Sequence, residues 1–158
     1  MDSAWMELKA EMIEQYRQQK QMADAALERV DDAALFARLS GGEDDHTNSI
    51  AVLIKHISGN LISRWTDFLT SDGEKPDRQR QREFVRESGD SRPLLMEQWE
   101  EGWRRLFAAL EPLTDEDFAR TVFIRDEAHS VVKAIFRNLL HTAHHIGQID
   151  LLATALQR

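Results

Sequence analysis

Few residues in this chain can stop a helix. Only 7 Gly and 3 Pro punctuate 158 residues, and between them run stretches rich in Ala, Leu, Glu, Gln, Arg and Met, the better helix formers. Clean two-residue alternation is scarce, nothing reads as βαβ, and no solenoid-length repeat recurs. The expected fold class is all-α, with residues 1–158 forming a single domain.

Four long segments carry helical periodicity. The first covers residues 3–30, with Trp5, Leu8, Met12, Tyr16, Ala23, Ala26, Leu27 and Val30 on its stripe. The second starts near Thr47 or Asn48, both good N-cap types, and carries Ile50, Leu53, Ile57, Leu61, Trp65 and Phe68 until Asp72-Gly73 stops it. The third starts at Ser91-Arg92-Pro93, with proline in the first turn, and carries Leu95, Trp99, Trp103, Leu106, Phe107 and Leu110. The fourth follows Ser130. The connections are long: one holds a short helix over residues 32–39, one is highly charged over residues 72–92, and one opens with the helix-start pattern Thr114-Asp115-Glu116-Asp117. Long connections permit crossovers, so a four-helix bundle with long crossover connections fits.

Composition removes several function classes. Without cysteine, disulfides, thiolate nucleophiles and Cys-based zinc sites are excluded. With 20 Lys+Arg against 28 Asp+Glu the charge is −8, which gives little attraction for nucleic acid or anionic membranes. The run of Arg78, Arg80, Arg82 and Arg86 is interleaved with Asp77, Glu83 and Glu87, and reads as a solvated loop or helix start rather than a phosphate site. No stretch is long enough for a membrane span, and the first residues lack a signal-peptide pattern, so a cytoplasmic protein is expected.

Chemistry concentrates in the histidines. There are 6, and three of them lie in Leu140-His141-Thr142-Ala143-His144-His145-Ile146-Gly147-Gln148. His141 and His145 are one helical turn apart on one face, where two imidazoles can share a divalent cation. His144 points about 100° away. Ala134, Asn138, His141, His145, Gln148 and Leu152 step by four and three, a heptad seam whose centre is polar. Buried imidazoles and amides are costly without partners, and a metal ion would supply one. His56, on the second helix beside Leu53 and Asn60, is the best third ligand, with Gly59 allowing close approach. Asn60, His144 and Gln148 are candidate groups for orienting ligands or substrate. His46 and His129, just outside helix starts, read as exposed loop residues.

His56 followed by His141-x-x-x-His145 running into Gly147-Gln148 resembles the DinB/YfiT-like superfamily. SRWTDFLTSDGEKP over residues 63–76 resembles an uncharacterised branch of it, and the similarity extends over nearly the whole chain. The resemblance implies a four-helix bundle of unusual connectivity, often dimeric, holding zinc or nickel on His56, His141 and His145. It also implies an enzyme that activates a low-molecular-weight thiol such as bacillithiol or mycothiol for transfer, or water for hydrolysis. Ile146 stands where many relatives carry arginine.

Three neutral imidazoles leave a divalent ion an open position, the pattern of catalytic rather than structural zinc. The open position implies a small-molecule substrate, the resemblance implies a second copy of the chain, and no nucleic acid and no membrane are expected. The alternative is a non-catalytic helical protein whose histidines bind metal structurally or adventitiously.

Overall fold

The computed structural model describes residues 3–39 and 47–157. These are mostly helical. Four long helices, α1 (Ala4–Glu28), α3 (Ile50–Trp65), α5 (Arg92–Leu110) and α7 (Val131–Leu156), carry the core, with short helices α2 (Asp32–Phe36), α4 (Arg80–Glu83) and α6 (Asp115–Phe118) in the connections. Serine opens three of the long helices: Ser3, Ser49 and Ser130 each accept an N–H from the first turn. The second long helix therefore starts later than Thr47 or Asn48. It also ends earlier than Asp72-Gly73, because Thr66 is extended and Asp67 takes a left-handed φ of 49°. Phe68 stays buried from the turn that follows.

α3 packs on α5 and on α7, and α1 packs on α7 and on α5. The helices joined by the first and last long connections, α1 with α3 and α5 with α7, are not among these extensively packed pairs. Consecutive long helices α1 and α3, and α5 and α7, are therefore not paired as tight hairpins. The core is aromatic at its centre. Tyr16 makes edge contacts with Trp65 at 6.2 Å and Trp103 at 6.3 Å, and Trp103 with Trp99 at 5.5 Å.

The all-α expectation needs one correction. β1 (Thr121–Ile124) and β2 (Glu127–Ser130) form an antiparallel hairpin just before α7. Thr-Val-Phe-Ile is a β-branched and aromatic run whose exposure alternates, burying Val122 and Ile124. Four residues of alternation are too short to stand out among helical periods. The two-residue turn Arg125-Asp126, with φ of 55° and 62°, also lacks the Asn-Gly signature of such turns. His129 lies on β2 opposite Val122 and is buried, not an exposed loop residue, because strand alternation turns it inward. His46 lies outside the described residues.

A candidate metal centre between two helices

The polar seam of α7 meets α3 at two levels. Deeper in, Asn138 is buried at the junction of three long helices. Its Oδ1 lies 3.0 Å from the Tyr16 hydroxyl of α1 and accepts the Trp65 indole N–H of α3 at 3.2 Å. Its amide donates to Asn60 Oδ1 at 2.7 Å. This network satisfies polar groups that would otherwise be costly in an aromatic core.

One turn further along α7, His141 and His145 face His56. The three rings pack with centroids 4.6–5.0 Å apart, and one nitrogen from each lies within 4.8 Å of the others, an arrangement that could hold a metal ion. His56 is buried, while His141 and His145 are partly covered. The outer nitrogens are fixed from behind. His56 Nδ1 faces Glu83 Oε2 at 2.8 Å, and His145 Nδ1 faces Gln148 Oε1 at 2.7 Å. Both partners are acceptors, so each Nδ1 carries its proton and each Nε2 presents a lone pair to the centre. His56 Nε2 and His141 Nε2 are 3.0 Å apart, close to the spacing of about 3.3 Å that two nitrogens adopt on one tetrahedral ion.

The electrostatics favour neutral imidazoles. Burial pushes the His141 pKa down to about 3, with His145, His56, Arg78 and Arg64 adding repulsion. Burial also lowers His145, against the opposing bond to Gln148. Neutral rings are what metal ligation requires. Burial alone would raise the Glu83 pKa, but bonds from His56 and Arg78 outweigh it and hold the carboxyl below its ordinary value.

Among the candidates for supporting roles, Gln148 touches His145, and Asn60 lines the cavity beside His56 and His141. His144 is exposed, meets the His145 ring at 5.1 Å, and lies outside the three-histidine group. The arginine run is not simply solvated. Arg78 grips Glu83 through Nε at 2.8 Å and Nη2 at 2.9 Å, and reaches Glu74 with Nη1 at 3.2 Å. Arg82 fits the solvated reading and pairs with Glu87. In the sequence Glu83 reads only as part of a solvated charge run, because a pair between two helices 27 residues apart leaves no periodic signal. Gly59 is the one trace of it: a Cβ there would collide with the Glu83 carboxylate.

Fold and site thus define a mostly helical chain with a three-histidine cluster between two long helices. A family model described as "Protein of unknown function (DUF1572)" matches residues 3–158, and the chain belongs to that family. No curated protein and no solved structure matches it.

Proposed function

We propose that the chain is a divalent-metal-dependent enzyme of the DinB/YfiT-like type, a four-helix bundle in which His56, His141 and His145 hold zinc or nickel. The observation that carries this reading is the convergence of three imidazoles whose outer nitrogens are occupied on His56 and His145. An all-imidazole donor set suits zinc or nickel better than magnesium or calcium. When bound with an open position, such an ion supplies Lewis acidity that makes a thiol cosubstrate or water nucleophilic near neutral pH. Glu83 holds the His56 tautomer and strengthens that ring as a donor. Gln148 does the same for His145. The chain has no cysteine, so a thiol nucleophile comes from a cosubstrate.

The test is metal analysis of untagged protein with equilibrium dialysis on single variants. His56→Ala, His141→Ala and His145→Ala should each lose the ion while circular dichroism stays helical, and His144→Ala should keep it. Four variants that bind as wild type does would sink the metal site. One observation favours the non-catalytic alternative: the 3.0 Å contact between His56 and His141 is also the length of an N–H···N hydrogen bond in a seam packed without metal. Retention of that seam with no metal uptake would decide for it.

The reading includes a homodimer. What supports it is an apolar stripe on α7, where Phe136, Leu140 and Leu151 are exposed, by 40%, 69% and 66%, on the same face as Gly147. Trp99 and Trp103 of α5 are buried in the core and are not available for such a contact.

A further inference from the structure

Beside the histidines is a cavity of about 150 Å³, lined by His56, His141, two asparagines and five arginines: Arg64, Arg78, Arg80, Arg125 and Arg137. No acidic residue lines it, in a chain whose net charge is −8. The five guanidiniums come from four places in the fold: α3, the α4 region, the hairpin turn and α7. Like charges brought together this way repel, so something must offset the cost.

Internal partners offset only part of it. Arg78 is neutralised by Glu83 and Glu74, and Arg125 reaches Glu74 at 3.5 Å. Arg80 has the Phe84 ring at 5.9 Å, and Arg137 donates through Nη1 to His129 Nε2 at 3.3 Å. Arg64 has less. It is 6% exposed, and its Nε is buried without a hydrogen-bond partner. Burial, with Arg137, Arg78 and Arg125 nearby, outweighs the opposing attraction of Glu74 and lowers its pKa to about 10, which still leaves it charged at neutral pH. A buried guanidinium N–H without a partner leaves its desolvation cost uncompensated.

The local structure holds Arg64 there. A Cβ at Gly73 would sit 2.9 Å from Arg64 Cδ, so glycine lets the loop close over the arginine stem. Asp72 accepts the N–H groups of Arg125 and Asp126 at 2.9 and 2.8 Å and so holds the hairpin turn that carries Arg125 to the cavity.

We propose that this cavity is the anion subsite of the histidine centre, and that the substrate carries an oxyanion, a carboxylate or a phosphate group, seated among Arg64, Arg80 and Arg137. Arginine forks match such oxygens in bidentate pairs. The volume accommodates one headgroup, not a nucleotide. The subsite rests on the metal reading for what it positions, since the anion would place the rest of the substrate at His56 and His141. Its own evidence is separate: a buried arginine Nε without a hydrogen-bond partner in a cationic cavity.

The experiment is calorimetric titration of the full chain with inorganic phosphate and with malonate, in chloride buffer, both as purified and after chelation. Phosphate or malonate should bind the chelated protein more tightly than chloride does. Affinity should fall roughly tenfold or more in Arg137→Gln and in Arg64→Gln, each losing a charge-assisted contact. Arg104→Gln, on the exposed face of α5, should change nothing. Arg137 is exposed, so its variant tests the subsite even if Arg64→Gln fails to fold. A preference for phosphate assigns a phosphorylated substrate, and a preference for malonate assigns a carboxylic one. Binding no tighter than chloride, or insensitive to Arg137→Gln, overturns the subsite. If the wild-type chain takes up no metal at all yet binds the anion, the metal reading falls and the subsite stands.

Discussion

At the scale of single residues, one carboxylate connects the histidine centre to the arginine cavity. Glu83 accepts from His56 on one side and from Arg78 on the other, and Gly59 makes the space for it. Glu83→Gln keeps the shape but removes the charge that orients His56. Metal affinity should drop about 10–100-fold with the helical signal intact; unchanged affinity in dialysis would mean the carboxylate is only a structural partner. Gly59→Ala tests the same link from the other side. Alanine gains roughly 0.5–1 kcal/mol of helix propensity but displaces Glu83, so affinity should fall while thermal stability barely moves. The grouping of His141, His145 and Gln148 was legible because they obey helical spacing on one seam of α7, and His56 because it sits beside the apolar stripe of α3. Glu83 and Arg64 were not. The first acts across a loop, and the second is an arginine, a residue type that is almost never buried without a partner. His129 was misread because its burial depends on a strand that four residues barely announce.

At the scale of elements, the segment from Ser63 to Lys75 works as a clasp on the end of α3. Ser63 Oγ accepts the Lys75 N–H at 2.8 Å and donates to the Gly73 carbonyl at 3.1 Å, while the Gly73 N–H pairs with Phe123 of β1 at 2.8 Å. Asp72 takes three N–H groups, from Glu74, Arg125 and Asp126. They outweigh the effect of burial and hold its pKa below the ordinary value. Two consecutive left-handed residues cost energy for side chains other than glycine, and these bonds offset it. Asp72→Ala should therefore destabilise the protein by about 2 kcal/mol or more in urea titration; a loss within error of zero would show that the turn holds without it. The four long helices were legible because each sustains its period over four turns or more and breakers are rare. The short hairpin was not, since its pairing with the clasp is a long-range contact that neither strand encodes alone.

At the scale of the whole molecule, two predictions concern assembly and acid stability. A dimer through the α7 stripe predicts that Leu140→Glu shifts sedimentation towards monomer without unfolding; wild type sedimenting as monomer at high micromolar concentration would refute the dimer. Acid stability follows from the histidines. His129, His141 and His145 all have pKa values below 6.5, each chiefly through burial, and His141 lies at about 3. The unfolded chain takes up these protons near pH 6.5, whereas the folded chain does so only at lower pH. Between those limits the unfolded state binds more protons, so stability falls as pH falls. Glu83, Asp72 and Asp90 have depressed pKa values. Their stabilisation is complete above the ordinary carboxylate range and is lost only below about pH 4.5. The loss between about pH 6.5 and 5 therefore belongs to the histidines. For chelated protein, the urea midpoint should decline through this window, and His141→Asn should flatten the decline. Metal-loaded protein should start higher at neutral pH and fall more steeply, because protons compete with the ion for the same nitrogens and the bound ion stabilises only the folded state. If the chelated wild type is flat from about pH 7 to 5, the histidines are not held neutral by the fold, and the electrostatic basis of the centre is wrong.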